Sequence, residues 1–521
     1  MEIDETSPTE PGLPPPRPRI VVNDDLLLVA NESWRALKHS IDDDTNEPIA
    51  LVLHGVLVRP ADRGFEPYSK DSLLGAMTRS ARFVTVRPSG DIAASPPLNV
   101  RSELLTRQDH QYGADAWRVR RFTTTPVFTS DHRLIQTPGL DAESQIFYRP
   151  APELVDLRIP EDIDLGDVEL AVDVISDAFA EIPFADDASR ANAYALLLTP
   201  FIKEMVGKVP MTVIDAPAGG INTGKTLTGQ IALFPALGGV TITNADRADG
   251  DEWRKVVTAA HLGGQQLLFI DNLSRVLDSG TIAAALTGDR WSDRILGHSQ
   301  MIDVPNDLLW VLTGNGIQIS QELARRAMPI RLMTPPDGRA WARSFSRRDI
   351  DGWLAHHRRE LVFAALTLCQ FWVRGGALGA AGDEEAGLSV GATVHSFVRW
   401  SQVVGGILKD AYVDGFMGNH AAFIEEMGSF DSDDDDEREE LLRTWHTLDL
   451  GSLKPLDLVP LLKPLGALHQ VRPVALSSAR DDAQLKQAIG TWCGHNKNIP
   501  SGGYVLKRDG TKRWAVERIE P

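Results

Sequence analysis

Gly219-Gly220-Ile221-Asn222-Thr223-Gly224-Lys225-Thr226 carries the spacing G-x-x-x-x-G-K-T of a phosphate-binding loop. Gly219 and Gly224 can adopt backbone angles closed to other residues. The N–H groups from Gly219 to Thr226, with Leu227 just behind them, are then free to curl around a triphosphate at a helix N-terminus, where the helix dipole favours negative charge. Lys225 is placed for the outer phosphates and the Thr226 hydroxyl for Mg²⁺. The flanks agree with this reading. Met211-Thr212-Val213-Ile214-Asp215-Ala216 is an apolar, β-branched run with the character of a buried strand. A helical stretch follows from Lys225 to Phe234, with Pro235 expected to stop it.

Four more strands are expected downstream, at Val240–Ala245, Gln266–Asp271, Leu308–Gly314 and Met328–Met333. Helices are expected between them, at Asp251–Leu262, about Ser279–Leu286 and Ser320–Arg326. Strands alternating with helices imply an α/β core with a parallel five-stranded sheet covered on both faces. Leu267-Leu268-Phe269-Ile270-Asp271 ends its apolar run on a carboxylate, which would emerge at the C-terminal edge of the sheet beside a nucleotide and its Mg²⁺. The next residue is Asn272, where many ATPases of this type carry Glu. An amide orients water but cannot take its proton, so the identity of the catalytic base stays open. Asn315, at the tip of the fourth strand, is the candidate for sensing water and γ-phosphate. A plain turn before Gly316 is the other reading.

Two further groups carry paired readings. Arg325 and Arg326 either compensate a helix C-terminus or supply an arginine finger to a neighbouring subunit's γ-phosphate, with Arg326 preferred. The segment Trp291–Val304 reads as a hairpin turning near Gly297. Its Arg294 and His298 either grip a nucleic-acid backbone or sit on a connecting hairpin.

These motifs, in this order, resemble the superfamily 3 helicases within the AAA+ ATPases, with the nearest likeness to the ATPase part of phage- and plasmid-type primase-helicases, relatives of the poxvirus uncoating ATPase. The residues carrying the resemblance are Gly219–Thr226, Leu267–Asn272, Arg294–Ser299, Val311–Asn315 and Leu323–Arg326. It implies a hexameric ring that binds ATP and Mg²⁺ at subunit interfaces and translocates on single-stranded or fork DNA. No primase motif accompanies it. The other class considered is an AAA+ ATPase that remodels or regulates protein partners without unwinding DNA.

The chain has 521 residues, 43% hydrophobic and 24% charged, with net charge −19. Such an acidic balance confines any nucleic-acid contact to a local surface. The two cysteines, Cys369 and Cys493, offer neither a disulfide framework nor a cysteine metal site. No apolar run has the length of a membrane span, and neither that nor the N-terminus suggests export, so a cytoplasmic protein is expected. The expected layout is a disordered tail (1–20), an N-terminal α+β module (21–160), a helical segment (161–208), the ATPase core (209–345), a helical region with an acidic linker (346–445) and a winged-helix-like C-terminal module (446–521). Within these, Trp117–Thr125 and Ser130–Ile135 read as paired strands. Asp42–Asp44 reads as a solvated turn and Asp431–Glu437 as a helix start or loop. Tyr504–Lys507 and Lys512–Val516 read as a hairpin turning over 508–511.

Overall fold

The computed structural model describes residues 17–62, 64–217, 223–243, 250–273, 276–294, 301–333, 347, 349–375, 394–473, 476, 479 and 481–519. They form two compact units. The larger contains a mixed α/β fold built on a five-stranded parallel sheet. Its strands are β1 (Met211–Ala216), β2 (Ile242–Thr243), β3 (Leu267–Leu273), β4 (Leu309–Asn315) and β5 (Ala327–Arg331), in the order β2-β3-β4-β1-β5. Every residue of β1 is buried, as are the first six of β4. That is the pattern of strands covered on both faces, and it explains their continuous apolar runs.

Helix α1 (Lys225–Leu237) lies against this sheet through Gly229. A Cβ at that position would come within 2.8 Å of the Phe269 ring in β3. The helix runs through Pro235 instead of stopping before it. Proline in the last turn forfeits a single intrahelical bond. The stop comes from Gly238, at φ 68°, whose N–H caps the Phe234 carbonyl at 2.8 Å. Helix α2 (Gly250–Leu262) connects β2 to β3 and α3 (Gly280–Thr287) follows β3. The short helix expected over Ser320–Arg326 is one turn, Gln321–Ala324. Of the second expected strand only 242–243 is strand among the described residues, and Ala245 lies outside them.

Upstream, an α+β arrangement includes the helices Leu26–Leu37, Lys70–Ser80 and Leu98–Thr106. Order begins inside the expected tail, because Arg19–Val21 pairs in parallel with Arg82–Val84. The expected pairing of Trp117–Thr125 with Ser130–Ile135 is not formed. Arg121–Thr123 pairs instead with Ile146–Tyr148, and Leu134–Ile135 folds back on Val127–Phe128. For Leu134–Ile135 the nearer partner wins, because a hairpin from 127 to 135 closes a shorter loop. Asp42 makes the expected turn, its carboxylate accepting from the N–H groups of Asp44 and Thr45. The stretch before the core is two helices, Leu165–Ala178 and Asp187–Val206, the second buried along most of its length.

The smaller unit comprises residues 275–279, 318–325 and 419–521. Its helix His420–Thr447 contains the acidic run Asp431–Glu437, which is neither a helix start nor a loop. Phe423 and Met427 on one side, and Leu441, Leu442 and Trp445 on the other, are buried, and helix cooperativity carries the backbone between them. Two more helices, Pro455–Leu462 and Asp482–His495, precede a three-stranded antiparallel sheet of Pro500–Ser501, Tyr504–Arg508 and Trp514–Arg518. The last two strands turn over 509–513, one residue beyond the expected turn. The Asp509 carboxylate fixes that turn by accepting from the N–H groups of Arg513 and Thr511, at 2.9 and 2.8 Å.

No helix among the described residues is long and apolar enough to cross a membrane. The packing of α1 on the sheet predicts that Gly229→Val lowers stability by about 1–3 kcal/mol through overpacking against Phe269, measured by chemical denaturation.

Candidate nucleotide site

Parallel strands deliver their C-terminal tips to one edge, and ligands of open α/β sheets bind in the crevice outside that edge. Here the register sets Ala216 of β1 beside Asn315 of β4, and Asp215 beside Arg331 of β5. Gly219, Gly220, Ile221 and Asn222 lie outside the described residues. The remainder of the loop is described. Thr223 is buried. Gly224 holds φ 95°, a conformation that favours glycine, and opens α1 as its N-cap. Lys225, Thr226 and Leu227 form the first turn of the helix, all half-buried.

Two contacts join that first turn to the strand tips. Lys225 Nζ donates to Asn315 Oδ1 at 2.7 Å and to Thr223 Oγ1 at 3.1 Å. Burial pushes the Lys225 ammonium below its ordinary pKa, while the Asp215 and Asp271 carboxylates oppose that shift. Thr226 Oγ1 donates to Asp271 Oδ1 at 2.7 Å, and Thr313 Oγ1 donates to the same oxygen. Lys225, Thr226, Asp271 and Asn315, expected together from sequence, do converge.

Asp271 and Asn272 sit in a bulge. Ile270 pairs with Leu312 and Leu273 with Gly314, so two residues of β3 oppose Thr313 alone. The Asn272 backbone is left-handed, at φ 58°, and its N–H donates to Thr313 Oγ1 at 3.0 Å. Asparagine tolerates that conformation better than most residues. The bulge thus places a residue at ease with positive φ directly after Asp271, whose carboxylate meets Thr226. Beyond it, Gly314 permits the close approach of β4 to the bulge, since a Cβ there would lie 2.8 Å from the Leu273 carbonyl oxygen.

Three polar residues of this edge escaped the reading of the strands as apolar runs: Thr313, Asp215 and Arg331. Each interrupts an otherwise apolar strand near its C-terminal end, and that was the available signal. Asp215 is 1% exposed. Its carboxylate accepts from Arg331 Nη1 at 2.6 Å and from the Ile317 N–H at 3.1 Å. Burial raises its pKa, against the Ile317 N–H and the Arg331 charge, which lower it.

The donor set suits Mg²⁺, which keeps several waters and needs one or two protein oxygens beside substrate phosphates. The Thr226 and Asp271 oxygens, 2.7 Å apart, approach the edge of about 2.9 Å implied by an octahedron with 2.0–2.1 Å bonds.

The two arginines separate. Arg325 caps the one-turn helix in the smaller unit, where its Nη2 donates to Gln321 Oε1 at 2.9 Å. Arg326 belongs to the larger unit, and its carbonyl accepts from the Met211 N–H at 3.0 Å. Met211 begins β1, so Arg326 lies at the N-terminal edge of the sheet, five residues or about 16 Å of strand away from the loop edge. It cannot serve the site of its own chain.

The two strands of the expected hairpin pair, Arg290–Arg294 antiparallel to Met301–Pro305, and the turn expected near Gly297 lies outside the described residues. Arg294 is exposed, and His298 lies outside the described residues. The root of the hairpin is tied to α2. Asp293 is buried and ion-paired to Arg254, and Thr258 Oγ1 donates to it at 2.9 Å while accepting from Trp291 Nε1 at 3.0 Å. Burial works against the charge of Asp293, but Arg254, the Arg294 N–H and Thr258 together hold its pKa below the usual carboxylate value.

No protein-family model matches the chain, and no curated protein matches it. Among solved structures, an A-form apo structure of the NrS-1 C-terminal region aligns at TM-score 0.37 and 10% identity, over 90% of this chain and 96% of that one. A second A-form apo structure of that region, spanning 305–718, aligns at TM-score 0.33 and 9% identity, over 89% and 94%. Likeness at this level carries no argument about function, and the site is read from its own geometry.

Proposed function

We propose that the chain is a Mg²⁺-dependent ATPase of the AAA+, superfamily 3 type that works as a ring-forming DNA helicase or translocase. The observation that carries the nucleotide part is the convergence of Lys225 and Thr226, from the first turn of α1, on Asn315 and Asp271 at two neighbouring strand tips. In this reading Lys225 and the loop N–H groups hold the triphosphate. Thr226 and Asp271 hold Mg²⁺, which supplies charge neutralisation between the outer phosphates. Asn315, now docked on Lys225, faces the attacking water. Asn272 contributes its backbone geometry rather than a base.

The ring is the part of this reading that gives Arg326 a role, since it sits at the edge away from its own chain's loop. An arginine that cannot reach the nucleotide of its own chain is suited to one held by a neighbour, where its planar fork stabilises transition-state charge. In this reading the hairpin that carries Arg294 supplies the DNA grip, and the order of helices and then a three-stranded sheet from His420 to Arg518 reads as winged-helix-like. A second reading, an ATPase that acts on protein partners, is favoured by the net charge of −19. It is also favoured by the internal use of C-terminal bases: Lys507 pairs with Glu517, Arg508 lies over Trp514, and Arg513 donates to the Ser452 carbonyl.

Steady-state ATP hydrolysis with and without single-stranded DNA separates the two, with Lys225→Ala as the inactive control. The helicase reading expects stimulation that fades as salt rises, because phosphate contacts are then coupled to turnover. Turnover indifferent to DNA supports the protein-remodelling reading. Subunit mixing tests the ring. Arg326→Ala and Asp271→Ala chains, each inactive alone, should regain part of the wild-type rate when mixed, because some interfaces then combine an intact site with an intact finger. No recovery contradicts a finger acting between subunits.

A further inference from the structure

Resting on the ATPase reading, we propose that Asp215 and Arg331 are positioning residues that aim Asn315 at the triphosphate. Neither belongs to the loop, the metal pair or the finger. Asp215 is the penultimate residue of β1, and its side chain is enclosed by the turn that follows β4. That turn starts at Asn315, passes through Gly316 at φ 61°, and comes back so that the Ile317 N–H donates to Asp215 Oδ1 at 3.1 Å. The Gly316 N–H is fixed on the Ala216 carbonyl at 2.8 Å. Two adjacent N–H groups of the turn are thus tied to two adjacent residues of β1. While both hold, the backbone that carries Asn315 is fixed beside β1, and its side chain is held by Lys225 Nζ.

Arg331 supplies the charge that makes this arrangement durable. A carboxylate 1% exposed is costly unless it is paired and hydrogen-bonded. Arg331 Nη1 pairs with Asp215 Oδ2 at 2.6 Å, while the Arg331 N–H donates to Ser189 Oγ at 2.9 Å. The helix Asp187–Val206 thus holds the backbone of Arg331 through Ser189, while its guanidinium pairs with Asp215. The outcome is a chain of contacts from Ser189 through Arg331, Asp215 and the Ile317 N–H to Asn315, ending on Lys225 Nζ at 2.7 Å. An error of about 1 Å in a group of this kind can cost about a hundredfold in rate. A positioning role therefore falls on kcat, with binding largely spared.

The test is a double-mutant cycle between Asp215→Ala and Asn315→Ala, read as kcat for ATP hydrolysis and as affinity for a non-hydrolysable ATP analogue. Asp215→Ala alone should lower kcat by about tenfold to a hundredfold and change analogue affinity by less than about threefold. In the Asn315→Ala background the same substitution should cost less than about twofold more, because the residue it positions is already gone. Multiplicative losses overturn the proposal, since Asp215 would then act independently of Asn315. Should Asp215→Ala fail to fold, Asp215→Asn and Arg331→Met enter the same cycle; the first keeps the shape of the side chain, the second keeps its apolar stem, each removes the ion pair, and the same two outcomes decide. Absence of turnover in the wild-type chain would overturn the ATPase reading and this inference with it. Turnover with multiplicative losses would remove the inference alone.

Discussion

One carboxylate oxygen organises the site. Asp271 Oδ1 accepts from the hydroxyls of Thr226 and Thr313, and so joins the first turn of α1 to β3 and β4 at a single point. The junction depends on the parallel register, which delivers the tips of β1, β3 and β4 to the same edge. It also depends on the bulge at Asp271–Asn272, without which the β3 pleat would continue unbroken past Thr313. Gly229 on α1 and Gly314 on β4 serve the same end, since each lets one element close to a distance that a methyl group would prevent.

Among the described residues at this edge, positive and negative side chains face one another. Lys225 and Arg331 face Asp215 and Asp271. A bare triphosphate would bring several uncompensated negative charges into a partly desolvated crevice, where electrostatic terms are strong. A triphosphate carrying Mg²⁺ brings fewer, and it offers a metal to the two oxygens that now bond to each other. Under the proposed function, Lys225 would hold the phosphates in place of Asn315, and Thr226 and Asp271 would hold the ion, which would supply the compensating charge.

Much of this was legible in the sequence, and the parts that were not share a physical cause. The strands, the loop helix and the convergence of Lys225, Thr226, Asp271 and Asn315 follow from local periodicity and from the rule that parallel strands end together. The bulge was hidden, because it is a relation between β3 and β4 and leaves no trace in either alone. Asn272 was read for its side chain alone, and its φ of 58° adds a conformational role that no single-strand pattern displays. Asp215 and Arg331 were passed over as members of apolar strands, and only the pairing of β1 with β5 brings them side by side. Pro235 and the run Asp431–Glu437 were read as breaks by composition, yet the flanking helix carries through both. The misassigned partner of Trp117–Thr125 likewise reflects strand pairing: Arg121–Thr123 pairs in parallel with a strand more than twenty residues on, a relation its own residues do not display.

The measurement closest to the central claim is equilibrium binding of a non-hydrolysable ATP analogue to the wild-type chain and to Lys225→Ala, each with Mg²⁺ and with chelator. Binding by the wild type that weakens at least about tenfold without Mg²⁺, and is lost in Lys225→Ala, is the predicted result; a tenfold change corresponds to about 1.4 kcal/mol. Equal binding by both chains, or binding indifferent to Mg²⁺, would contradict the assignment of this edge as the nucleotide site.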